Sequence, residues 1–290
     1  KPKKAMCATI FTVVMNILLD VVFIRWWHWG IKGAALATII SQTLALCWQM
    51  TLFANKNELL HLKRGIYKLK ANLVKNIISI GISPFLMNAC ACVIVIFINN
   101  QLVRFGGDMS VGAYGIGNSI AMIFVMSVIG LNQGMQPIAG YNYGAQQYER
   151  MMRVVKLSII TATCIMLTGW SLAMFVPYHC VRLFTTNPEL IKRSINALHI
   201  IMMMFPLIGC QMVITNFFQC IGKVKISIFL SLSRQLLFLL PLLILLPNFY
   251  GINGVWASMP TSDFIAVVVA IITMTVYLRR FKKDMQSKNS

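Results

Sequence analysis

Residues 111–150 read VGAYGIGNSIAMIFVMSVIGLNQGMQPIAGYNYGAQQYER. From Val111 to Tyr148 no residue is charged. Such a stretch suits a bilayer, where each charge at the helix centre costs about 2.5–3.5 kcal/mol on insertion scales. It is nevertheless not a uniformly apolar anchor. At 100° per residue, Tyr114, Asn118, Val125, Asn132 and Gln136 return to one side of a helix. Polar side chains inside a membrane face protein or water, so this stripe is expected to line an interior pathway for a solute. A plainer role stands beside it, in which Asn118, Asn132 and Gln136 tie helices together by hydrogen bonds. Gly130 and Gly134, then Gly140 and Gly144, have the spacing that lets a second helix approach closely. Pro137 lacks a backbone donor and is expected to loosen the helix end.

Composition agrees with this stretch. Of 290 residues, 58% are hydrophobic and 11% charged, and mean hydropathy is +0.73. Soluble domains carry about 25% charged residues, so the chain reads as an all-α, polytopic membrane protein. The net charge of +19 does not point to nucleic acid, because the basic residues flank apolar segments instead of covering one soluble face. The Gly115-x-Gly117 pair follows no strand and lacks the third glycine of a dinucleotide loop. The eight cysteines form no C-x-x-C pair, and no H-E-x-x-H or nucleophile elbow occurs. The reading is a non-enzyme without metal or organic cofactor.

Eight segments of bilayer length follow in order, near 6–27, 31–54, 76–100, 111–136, 155–177, 195–217, 226–247 and 253–278. Counting alternate loops, nineteen Lys and Arg fall on one side and six on the other, with Arg234 inside the seventh span. That asymmetry places both termini of this sequence in the cytoplasm. Trp26, Trp27 and Trp29 suit the outer interfacial belt. Residues 55–75 alternate basic and apolar side chains and read as an amphipathic helix on anionic lipid, or as simple positive-inside anchoring. The expected organisation is 1–54, two helices of one lobe; 55–75, a basic linker; 76–278, a six-helix lobe; and 279–290, a basic cytoplasmic tail. Gly30-Ile31-Lys32-Gly33 opens the second span and Gly251-Ile252-Asn253-Gly254 the eighth, so the first two spans repeat as the last two.

Three places together resemble one family. They are Asn16-Ile17-Leu18-Leu19-Asp20 with GIKGAALATIISQ (30–42); Gln133-Gly134-Met135-Gln136-Pro137 running into Gly140-Tyr141-Asn142-Tyr143-Gly144-Ala145; and Ser233-Arg234-Gln235 with Pro241 and GINGVWASMPTSD (251–263). In this order and spacing they are similar to the MATE (multidrug and toxic compound extrusion) transporters, in their MepA-like bacterial branch. The resemblance implies twelve helices in two six-helix lobes around a central cavity. On that map this sequence holds the fifth to twelfth helices and lacks the first four, consistent with its start at Lys1. It further implies a bacterial inner-membrane protein that exports cationic or amphiphilic small molecules by antiport against protons or sodium. The alternative within the wider superfamily is a flippase for lipid-linked oligosaccharide or another lipid, whose members tend to line the cavity with basic residues. A monomer with membrane lipid around it is the expected assembly. Some members place acidic residues in the helix equivalent to 81–102, where this sequence has Asn88 and no Asp or Glu.

Three charged residues lie deep within spans, away from their ends. Asp20 ends the Asn-x-x-x-Asp signature and is expected either to lock the helices structurally or to handle a proton. Arg234 and Asp263 lie 13 residues before Pro247 and 12 after Gly251. At 1.5 Å per residue both sit about 18–20 Å below the loop joining their helices. Equal depth and opposite charge predict an ion pair, serving as a static lock or exchanging its arginine for a cation during transport. Met202 to Met204, beside Pro206, offer soft surface for varied apolar cations or ordinary packing.

Overall fold

The computed structural model describes residues 2–54 and 71–289. The described residues are helical throughout apart from short turns. Packing divides the chain into two units, Lys1–Lys75 and Asn76–Ser290. The expected amphipathic linker helix falls mostly on 55–70, outside the described residues.

In the first unit, α1 (Pro2–Asp20) continues through a π-helical turn (Val21–Trp26), and α2 (Gly30–Ala54) packs back against it. The ten residues from Asp20 to Gly30 are therefore not one α-helix. The turn closes through Trp27 N–H to Val22 O (3.1 Å) and Trp29 N–H to Phe23 O (3.0 Å). Phe23, Trp27 and Trp29 stack on one another there, with ring centroids 4.9–5.6 Å apart.

The second unit holds α3 (Ala71–Gly106), α4 (Asp108–Gly144), α5 (Tyr148–Phe175), the short α6 (Pro177–Arg182), α7 (Pro188–Ile201) and α8 (Phe205–Cys220). Then α9 (Val224–Leu232) runs through a second π-helical turn (Ser233–Leu239) into α10 (Leu240–Tyr250), and α11 (Ile252–Asn289) follows. One core joins α4, α5, α8 and α11 through Val128, Met135, Val155, Met166, Phe217, Phe218 and Met274. A second joins α3, α4, α7, α10 and α11 through Ile98, Leu102, Ala113, Ala197, Leu243 and Val255. The outward faces are equally apolar, with Ile123, Leu157, Phe175, Leu245 and Ile272 all exposed. Water would not tolerate such a surface, but lipid does.

Seven helices are long and apolar enough to cross a membrane, and the pair α7 and α8 makes an eighth if taken as one span bent by 52°. The expected continuous span at 195–217 is thus broken. Met202 to Met204 form the turn, and the N–H of Phe205 bonds Met202 O (3.1 Å) just before Pro206, which has no N–H to give. The third span also shifts, to Phe85–Gly106. Pro137 does not end α4, which runs on to Gly144. The segment expected as a separate tail from 279 continues α11 to Asn289.

The G-I-x-G repeat is a repeat of backbone geometry. Gly30 and Gly251 both have positive φ, 53° and 57°, the left-handed conformation that glycine alone adopts without strain. Gly33 and Gly254 then each lie against the end of the preceding helix. A Cβ on Gly33 would sit 3.0 Å from Phe23 Cβ, and one on Gly254 would sit 2.8 Å from Pro247 N and overlap the Leu246 carbonyl. The first glycine turns the chain and the second lets the two helices close.

Candidate substrate pathway

The polar stripe of α4 lies along the seam between its packed and open faces, and its members differ in environment. Helical periodicity puts the packed face on Ala113, Gly117, Val128, Met135 and Ala139, to one side of the stripe. Tyr114 is half-buried, its ring centroid 6.4 Å from that of Trp256 on α11. Asn118 is exposed and Val125 half-buried. Asn132 is 1% exposed, and neither its carbonyl nor its amide nitrogen has a hydrogen-bond partner among the described residues. Gln136 donates from Nε2 to Asn216 Oδ1 on α8. The lower half of the stripe therefore enters the α4–α8 contact, while Asn118 remains open. On α3, Asn88 is exposed.

The two charges matched by depth meet. Arg234, second residue of the π-helical turn, places Nη1 3.4 Å from Oδ1 of Asp263 on α11. The contact is single rather than the bidentate fork that gives an arginine–carboxylate pair its greatest strength. Next to it, Gln235 Oε1 is buried without a partner among the described residues.

Asp20 is half-buried at the junction of α1 with the first π-helical turn. Its Oδ1 is buried and has no hydrogen-bond partner among the described residues. One turn earlier, Asn16 donates from Nδ2 to Thr38 Oγ1 (3.4 Å), and that hydroxyl donates to Ala34 O (2.9 Å). Asn16, one turn before Asp20, is thus tied to Thr38 across the α1–α2 contact. Asp20 precedes the first π-helical turn, which also holds Arg25, and Arg234 lies within the second; such turns are frequent at functional sites.

Sequence reasoning missed Thr38, Asn216 and His199. The signal for Asn216 was a polar residue in the apolar run 205–220, but its partner is 80 residues away. His199 lies at the α7–α8 bend, its Nε2 buried and without a partner among the described residues. The methionines divide: Met202 is fully buried as core, and Met203 is exposed. Among the described residues no three His, Cys, Asp or Glu side chains gather as a metal site would require.

The MatE family model matches residues 79–245, more than half of the sequence. The chain belongs to the MatE family. Curated relatives of this MatE chain include the multidrug export protein MepA of Staphylococcus haemolyticus, 25% identical over 287 residues, covering 99% of this chain and 63% of the relative. MepA of Staphylococcus aureus is 25% identical over 279 residues, covering 96% and 61%. Among solved structures, the MATE multidrug transporter DinF-BH is 36% identical and superposes with a TM-score of 0.82 over 92% of this chain and 60% of that one. An outward-facing multidrug resistance MATE transporter of the MOP superfamily superposes at 0.86, with 23% identity, over 97% and 63%. The chain therefore spans about three-fifths of the length of these relatives. It is a multi-pass membrane protein homologous to multidrug exporters, and those homologues are transporters. The fold alone leaves the cargo open: a MOP superfamily transporter from Pyrococcus furiosus, with a TM-score of 0.84, is described as having reverse polarity of its binding pocket.

Proposed function

We propose that this chain forms most of a multidrug efflux transporter that exports cationic or amphiphilic small molecules across the bacterial inner membrane by antiport with protons or sodium. In this reading it holds the last two helices of one lobe and all six of the other, with its termini in the cytoplasm. The observation that carries the coupling is Asp20. A carboxylate oxygen buried in a membrane helix without a donor is costly unless it takes up a proton or a cation. Asn16, one helical turn earlier on the same helix, would add a neutral amide oxygen. A structural lock through Oδ1 would need a hydrogen-bond donor there, and none is present among the described residues.

Arg234 bears on the cargo. Its charge is paired by Asp263 and so is not free to line a pathway for anionic lipid-linked sugars. Asn88, Tyr114, Asn118, Asn132 and Gln136 would offer neutral polar contacts along the route, which suits varied cations better than a basic lining does.

The test is dye export by the full-length transporter in vesicles, with a proton or a sodium gradient imposed in turn. One gradient should drive export, and Asp20→Asn should abolish that dependence while leaving expression intact. Full gradient-driven export by Asp20→Asn would remove Asp20 from coupling and return it to a structural role.

A further inference from the structure

At the end of the second unit where α4 stops and α5 begins, aromatic rings bind four helices into one platform. Tyr143 and Tyr148 lie 6.1 Å apart, Tyr148 and Phe281 4.7 Å, Tyr277 and Phe281 5.9 Å, and Phe218 and Tyr277 5.2 Å, centroid to centroid. These contacts bring the ends of α4, α5 and α8 against α11 at Tyr277–Phe281. Cations distant in sequence follow. Arg150, Arg153 and Lys156 stand exposed on the first turns of α5. Lys223 and Lys225 stand exposed at the α8–α9 turn, and Arg279 and Arg280 on α11. Glu149 is the one acidic side chain within 148–156, 222–226 and 277–281. Beside it an open hollow of about 340 Å³ is lined by Gln146, Gln147, Tyr148, Glu149 and Arg150, and Arg150 Nη1 donates to Gln147 Oε1 at 3.1 Å.

We infer that this platform is a docking surface for anionic phospholipid headgroups. Its charge far exceeds what one loop needs to set orientation, and it is assembled from three separate segments. Tyrosine is a residue type that settles at membrane interfaces, and acyl chains have the apolar flank of α5, with Leu157 and Ile160 exposed, to lie on. Guanidinium groups bond phosphodiester oxygens through parallel N–H donors, and the lysines add point charges. The surface shares no residue with the Arg234–Asp263 pair, so the inference does not depend on what is exported.

The experiment equilibrates the full chain with mixed micelles holding equal phosphatidylglycerol and phosphatidylcholine, then weighs the lipid retained on the protein by mass spectrometry. Phosphatidylglycerol should be retained several-fold over phosphatidylcholine, and the preference should fall as salt is raised from 0.1 to 0.5 M. Each cation removed should lower the preference by up to roughly fivefold. Arg153→Gln, Lys223→Gln and Arg279→Gln together should therefore abolish it. Lys192→Gln, on α7 away from this platform, should not change it. Equal retention of both lipids by the wild type would overturn the inference. So would a preference unmoved by the triple substitution, or displacement of the bound lipid by millimolar inorganic phosphate, which would assign the surface to a soluble anion. Should the triple variant not fold, the salt titration of the wild type decides alone: a salt-independent preference overturns the inference.

Discussion

Arg234 and Asp263, 29 residues apart in sequence, meet at 3.4 Å between the second π-helical turn and α11. Pro260 lies one turn before Asp263 and removes a backbone hydrogen bond from α11, so the pair ties together two helices that are each locally weakened. Removing one partner leaves a charge without compensation. Asp263→Asn should destabilise the protein by about 1–3 kcal/mol, less than the full cost of breaking a wholly buried pair because Arg234 is one-third exposed. Adding Arg234→Gln should restore most of that loss in a thermal unfolding measurement. Export that returns with stability marks a static lock; export that stays lost marks a pair that opens during transport.

Gly254 and Gly33 hold the same place in the repeat but with different clearance. At Gly254 an added methyl meets backbone atoms, which cannot move aside cheaply, whereas at Gly33 the shortest contact is 3.0 Å. Gly254→Ala should cost at least about 1–3 kcal/mol by forcing α10 and α11 apart. Gly33→Ala should cost less. The order of the two unfolding midpoints, with Gly254→Ala the lower, checks this.

Asn132 and Gln136, one turn apart on α4, should respond oppositely to substitution. The Asn132 amide is buried without a partner, so Asn132→Leu should stabilise the fold by about 1–3 kcal/mol. Gln136→Leu leaves Asn216 without its donor and should destabilise it. A double-mutant cycle with Asn216→Leu should return a coupling of about 0.6 kcal/mol, the average for hydrogen bonds between membrane helices. If Asn132→Leu gains stability and loses export, the unpaired amide serves the pathway.

Asn118 and Ile123 are both exposed on α4 but lie about 140° apart around the helix. With the native cysteines replaced, Asn118→Cys should react with a membrane-impermeant thiol reagent and Ile123→Cys should not. Equal labelling of both would place Asn118 against lipid and remove it from any aqueous route.

Depth along each helix was readable in the sequence. Lipid excludes charge, so apolar length marks the spans, and the fixed helical rise sets Arg234 level with Asp263 before any packing is known. The G-I-x-G repeat was equally legible, since a left-handed turn followed by a close helix contact leaves glycine as the residue that fits both positions. Rotation around each helix was not readable. In a soluble helix the apolar stripe points to the core, but lipid is as apolar as the core, so pattern alone cannot say which side meets protein. For that reason only the tertiary structure set Gln136 against Asn216, buried Asn132 while leaving Asn118 open, bent the sixth span at Met202–Met204, and gathered cations from three segments onto one aromatic platform.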